Sequence, residues 1–296
     1  MIETPRPVYG GQAVIEGVMM RGTHAVALAV RKPDDEIAVH VEKLGAIYRS
    51  RWAKTPFIRG VVVLWDALAL GMRMLTLSAN YQLEEEEEEL EGPALYLTLV
   101  GSLGFAVLLF MLTPAAIGHF TQNWLSIEAN WLGNVVEGGV RLAILIAYIW
   151  GVGRMEDIQR VFRYHGAEHK TINAYEAGAA LTPENVAEFP LEHPRCGTAF
   201  LLIVVLLSII LFSLFNVDTL WLKLLLRIGL VIPLAGISYE YLRWTANNTD
   251  KAFVRWLIVP NLAMQRLTTA EPDLAMLQVA IASFEAMREG EVEFGI

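Results

Sequence analysis

The sequence predicts a mainly α, polytopic membrane protein with four transmembrane helices, a small N-terminal β-hairpin unit and cytoplasmic helices. Three observations predict it. Hydrophobic residues make up 54% of the chain, more than a typical soluble globule carries. Ala94 to Gly118 and Cys196 to Val217 contain neither a charged residue nor a histidine, and each exceeds the roughly 18 residues that mark a membrane-crossing helix. Near the N-terminus, two Val- and Ile-rich runs flank a Pro-Asp turn, the pattern of a hairpin.

Residues 1–50 read as a β-containing unit. Ala25 to Arg31 and Ile37 to Leu44 are its strands, with Lys32 to Glu36 as the turn between them. Gly10 to Gly22 precedes them with four glycines and reads as a glycine-rich loop that permits close backbone approach. Glu16 and Arg21 in it either satisfy each other or line a site. Residues 51–93 follow as an amphipathic helix and an acidic linker. Phe57 to Ala79 is apolar, but Arg59, Asp66 and Arg73 are spread through it, which suits a surface-lying helix better than a span. The run Glu84 to Glu89, with Glu91, repels itself and reads as a solvated linker.

Residues 94–153 form the first transmembrane pair. Its second member, Leu132 to Gly153, carries Glu137 and Arg141 near its start, spaced i, i+4 for local pairing. Trp124 and Trp131 between the two suit the membrane–water boundary. Residues 154–198 are a polar loop and residues 199–243 the second pair. There Leu222 to Leu242 keeps Lys223, Arg227 and Glu240 toward its ends, where long cationic side chains reach the headgroups. Residues 244–296 are a C-terminal helical segment. Asn247 to Gln265 reads as a short amphipathic stretch ending near Pro260. A final helix, about Asp273 to Arg288, repeats Leu274, Leu277, Ala280, Ile281 and Phe284 at helical spacing and is expected to dock on the cytoplasmic unit.

Lys and Arg set the orientation. Ala94 to Val140 has neither, whereas residues 1–93, 154–195 and 243–288 are rich in both. The positive-inside rule then places both termini and the polar loop in the cytoplasm. Met1 to Pro5 has neither a basic nor an apolar signal-peptide region. The single cysteine, Cys196, fits a reducing compartment. A net charge of −9 argues against nucleic-acid binding.

The polar loop carries the chemistry. Asp157 to Ala177 reads as one helix bearing His165-Gly166-Ala167-Glu168-His169. Imidazoles four residues apart share a helix face and can grip one divalent transition metal, zinc above all. Glu168 beside them is a carboxylate able to act as base. The residue order H-x-x-E-H is that of the inverzincin peptidases. Thr182 and Pro183 read as N-cap and first residue of a following helix. His193-Pro194-Arg195-Cys196 then offers a second ligand pair. His165, His169, His193 and Cys196 together would close a four-coordinate structural set. His165, His169 and either Glu176 or His193 would leave a position open.

Gly10 to Gly22, Tyr164 to Glu176, His193 to Thr198 and Leu267 to Pro272 together resemble the YqhQ-like family of bacterial membrane proteins, a domain of unknown function described as a predicted metal-dependent enzyme. The resemblance implies His165, His169, His193 and Cys196 as metal candidates, with Glu16, Arg21, Glu168 and Glu176 as site partners. Pro33-Asp34-Asp35 stands where similar proteins often have Pro-Asp-Gly, which alters only the turn.

Three functions remain in view. One is a metal-dependent hydrolase at the membrane surface, with Glu168 as base and Arg21 holding an anionic group of a lipid-like or peptide substrate. Another is a structural metal site in a membrane scaffold or assembly factor. The third is a transporter or channel component, which needs polar residues converging within the membrane; homo-oligomerisation would have to supply a pore that the charge-free spans do not.

Overall fold

Four strands in meander order open the chain: β1 (Gly10–Val14), β2 (Gly17–Arg21), β3 (Ala25–Arg31) and β4 (Ile37–Lys43), all antiparallel neighbours. The computed structural model describes residues 9–45, 50–83, 92–124, 130–215, 217 and 219–295. The N-terminal residues, the glutamate run and the side chain of Trp131 lie outside the described residues.

The β3–β4 hairpin is the expected one. The stretch before it, expected as a glycine-rich loop, is instead a second hairpin in which Val14 pairs with Gly17 across Ile15 and Glu16. Glu16 there adopts a φ of 51°, in the left-handed region that non-glycine residues rarely enter. Gly10, Gly11 and Gly17 have no side chains, so the period-2 pattern that would reveal these strands is blank at those positions. Gly17 is needed for space: a Cβ on it would lie 2.3 Å from the Ala29 carbonyl oxygen.

β2 and β3 are buried on both faces, and the alternation of side chains divides the cover. Val14, Met19, Val26, Leu28 and Val30 pack against Met74, Leu70 and Leu77 of α1 (Ile58–Asn80). Val18, Met20, Ala27 and Ala29 face Tyr164 and Ala167 of α5 (Glu156–Ala177) and Leu277, Ala280 and Phe284 of α10 (Leu274–Phe294). Asp273 caps α10, its Oδ1 accepting from the Met276 amide at 2.8 Å, and the helix runs past the expected Arg288.

Among the described residues, four helical stretches are long and apolar enough to cross a membrane: Ile58–Asn80, Leu95–Gln122, Leu132–Val152 and Trp221–Ala246. The count matches expectation, but one member differs. α1 meets the length and composition of a span, although its charges suggested a surface helix; each charge has a partner elsewhere. Arg59 pairs with Glu240, Asp66 with Arg21 and Arg73 with Glu42. α7 (Gly197–Ser213) is shorter, at 17 residues. It packs against α4 (Asn130–Val152), α8 (Leu220–Ala246) and α9 (Ala252–Gln265). α2 (Gly92–Val107) continues through a π-helical turn, Leu108–Leu112, into α3 (Thr113–Trp124). α9 does not end near Pro260 but contains it. Beyond that proline, buried Asn261, Met264 and Gln265 anchor the last turn.

Phe284 is fully buried between α10, α5 and the sheet. Phe284→Ala is expected to cost about 3–5 kcal/mol and to lower the thermal midpoint in detergent. Leu274→Ala on the exposed first turn of the same helix should leave it nearly unchanged.

Candidate metal centre

α5 starts with Glu156 and Asp157 in its first turn, favourable against the helix dipole. It stops at Gly178, whose φ of 76° provides a left-handed C-cap. Between these ends the core-facing residues Tyr164 and Ala167 turn His165, Glu168 and His169 toward three other segments. These are the loop before α7, the α9–α10 turn and β1.

Each histidine is pinned through one ring nitrogen. His165 Nδ1 lies 2.9 Å from the Thr268 carbonyl oxygen and His169 Nδ1 lies 2.5 Å from that of Leu191. A carbonyl only accepts, so both Nδ1 atoms carry the proton and both Nε2 atoms keep a free lone pair. His165 Nε2 is 3.3 Å from Cys196 Sγ, and the same sulfur contacts His169. The ligand atoms of His165, His169 and Cys196 all lie within 4.8 Å of one another. Tetrahedral zinc, with bonds of about 2.0–2.1 Å to nitrogen and about 2.3 Å to sulfur, sets its ligands roughly 3.3–3.6 Å apart. Small rotamer changes therefore bring this group around an ion. Carbonyl-bound Nδ1–H groups are also the usual second layer behind metal-binding imidazoles.

Cys196 is the N-cap of α7. Its sulfur accepts from the Thr198 amide at 3.4 Å and lies 3.0 Å from the Thr198 hydroxyl. The thiolate is the form of cysteine that binds metal. Glu168 is 5% exposed and accepts from the Gly11 amide. Burial pushes its carboxyl above the usual range, against the pull of His165, His193 and that amide. Burial pushes His169 and His193 below the ordinary imidazole value, so both sit neutral, as metal ligation requires.

The remaining predicted residues are close by but otherwise engaged. The His193 ring lies 5.7 Å from that of His169. Its nitrogens face Arg195, Nδ1 at 3.4 Å from the backbone amide and Nε2 at 3.3 Å from Nη2. Glu176 forms an ion pair with Arg195. Glu16 pairs with Arg160 and approaches the Tyr164 hydroxyl at 3.3 Å. Arg21 pairs with Asp66. Glu16 and Arg21 thus tie the sheet to α5 and to α1 rather than to each other.

Several contributors carried no signal in the sequence. Leu191 and Thr268 act through backbone carbonyls. Gln265 clamps the His193 backbone from both sides, accepting its amide at 3.0 Å and donating to its carbonyl at 2.9 Å. Arg195, between the candidate ligands His193 and Cys196, pairs with Glu176.

The family model "Protein of unknown function (DUF1385)" matches residues 55–290. The chain is 35% identical over 300 residues to "Uncharacterized protein YqhQ" of Bacillus subtilis (strain 168), covering 95% of this chain and 92% of that protein. No solved structure matches.

A Cβ on Gly166 would lie 2.2 Å from the Ala270 carbonyl oxygen, so Gly166→Ala must displace the turn that holds His165. It is expected to destabilise the protein by about 1–3 kcal/mol, read as a lower thermal midpoint. Gly101→Ala, which has nothing within 4 Å, should not.

Proposed function

Because this chain belongs to the DUF1385 family, whose names supply no activity, we propose from its geometry that it is an inner-membrane protein with a cytoplasm-facing metal centre that hydrolyses a substrate at the membrane surface. The observation that carries this is the pair of imidazoles locked through Nδ1, both in contact with one cysteine sulfur, with the three ligand atoms within 4.8 Å of one another. Two nitrogens and one thiolate favour zinc, and three protein ligands leave a coordination position open.

An ion of this class supplies Lewis acidity when bound. His165, His169 and Cys196 hold it. Glu168, one turn beyond His165 and pushed above the usual carboxyl range by burial, would be the base that takes a proton from an attacking water. Gly11 steadies that carboxylate through its amide. Arg195 and Glu176 lie against the buried His193 ring, which would have to turn away from Arg195 to become a fourth ligand. Glu16 and Arg21 act as positioning residues, and an anion-holding role for Arg21 would require it to leave Asp66. The Lys and Arg distribution supports the cytoplasmic orientation of α5 and both termini. The substrate proposed is a lipid-like or peptide molecule presented at that face.

A second reading rests on burial. His169 and Cys196 are 1% and 5% exposed, which suits a structural clamp joining α5, α7 and the α9–α10 turn in a scaffold protein.

Metal analysis of chelator-free, detergent-purified protein tests the centre. Near-stoichiometric metal is expected, lost in His165→Ala and His169→Ala. In the cobalt-substituted protein, the thiolate charge-transfer band should vanish in Cys196→Ser. Metal-free wild type from zinc-supplemented cells would overturn the centre. Glu168→Gln separates the two readings. A hydrolase keeps its metal and loses about 10²–10⁴-fold in turnover on ester and peptide screens, whereas a clamp shows no turnover to lose.

A further inference from the structure

A second buried polar cluster lies at the other end of the helical bundle. From Cys196 to Ser208, α7 runs roughly 18 Å away from the metal centre. There Glu137 of α4, 1% exposed, accepts from Arg141 Nη2 at 2.7 Å, lies against Arg227 of α8 and is 3.8 Å from Lys223 Nζ. Arg141 is otherwise committed, its Nε donating to the Phe110 carbonyl at 2.9 Å and its Nη1 to Ser208 Oγ at 3.0 Å. Phe110 belongs to the π-helical turn, so this carbonyl comes from a local departure from α geometry, a feature frequent at functional sites. Arg227 is less well served. Its Nη2 reaches Asn134 Oδ1 at 3.3 Å, while Nη1 meets Glu137 without hydrogen-bond alignment. The Phe212 ring sits 5.3 Å from one guanidinium and 5.2 Å from the other.

The charges do not balance. Two guanidiniums share one carboxylate, leaving a positive excess among these three groups. Buried charge without a counter-charge is costly in a low-dielectric setting. Local pairing of Glu137 with Arg141 was expected, but the convergence of Arg227 and Lys223 from α8 was not.

We propose that this cluster binds an anionic phosphate group, with the headgroup of an anionic phospholipid as the favoured source. The guanidinium fork matches phosphate oxygens, and Arg227 has the under-used donor. Lys223 and Arg227 lie roughly 5 Å and 10 Å along the axis from the start of α8, within headgroup reach. Beside them Trp221, Leu222 and Leu225 are 77%, 56% and 66% exposed, a surface suited to acyl chains. The site rests on α4 and α8 crossing the membrane and is independent of the metal centre.

The test titrates full-length protein in detergent with phosphatidylglycerol, phosphatidylcholine and inorganic phosphate, reading bound adducts by native mass spectrometry and the thermal midpoint. Phosphatidylglycerol is expected to bind one-to-one and raise the midpoint, with phosphatidylcholine at least tenfold weaker. Arg227→Gln should lose at least tenfold in phosphatidylglycerol affinity, whereas Arg255→Gln on exposed α9 should not. Protection by inorganic phosphate that Arg227→Gln abolishes would keep the phosphate site and make its ligand a free anion. Equal binding of the two lipids with no phosphate effect would overturn the proposal, as would a phosphatidylglycerol preference that survives Arg227→Gln. Should that variant fail to fold, the wild-type lipid comparison still decides, and Arg227→Lys, which keeps the charge and loses the fork, should bind more weakly.

Discussion

The structure depends on one constraint: the central strands of the N-terminal sheet are apolar on both faces, so both must be covered. An antiparallel sheet commonly leaves one face to solvent. Here Val26, Leu28 and Val30 point one way and Ala27 and Ala29 the other, and all are buried. The first face is covered by α1, a helix long and apolar enough to cross a membrane. The second is covered by α5 and α10, which come from distant parts of the chain. Satisfying the sheet therefore fixes the polar α5 against the apolar bundle.

That placement builds the site. With Tyr164 and Ala167 committed to the sheet side, helical geometry leaves His165 and His169 on the opposite side. There the loop before α7 and the turn after α9 supply the Leu191 and Thr268 carbonyls. Small residues set the distances: Gly166 lets the Ala270 carbonyl approach, and Gly11 lets β1 lie against Glu168. Those carbonyls would otherwise need other partners, so satisfying the backbone and orienting the imidazoles are accomplished by the same hydrogen bonds.

What the sequence made legible follows from where information resides. The i, i+4 histidines and Cys196 stood out because their chemistry is in their side chains, and the structure brings these three together. The β3–β4 hairpin, the Thr182 cap and the docking face of α10 were equally readable. The β1–β2 hairpin was not, because glycines erase the alternation that marks a strand. Leu191 and Thr268 act through carbonyls that every residue possesses, so no pattern could single them out. The partners of the α1 charges were not readable either. Arg59, Asp66 and Arg73 read as solvent-facing charges, and only the tertiary structure reveals Glu240, Arg21 and Glu42 as their partners.

The two ends of the bundle show opposite deficits. Around α5, two imidazoles held through Nδ1 and a cysteine at a helix start gather around one point, with a buried carboxyl beside them. That arrangement has acceptors in surplus and could hold a cation. At the far end, guanidiniums crowd one carboxylate and one amide oxygen. That arrangement has donors in surplus and is completed by an anion. Burial makes both deficits matter, because in a low-dielectric interior an unmatched lone pair or cation costs more than at the surface. α7 joins the two, with Cys196 at its start and Ser208 and Phe212 along its far half, so a 17-residue helix holds two sites of opposite polarity in fixed relation.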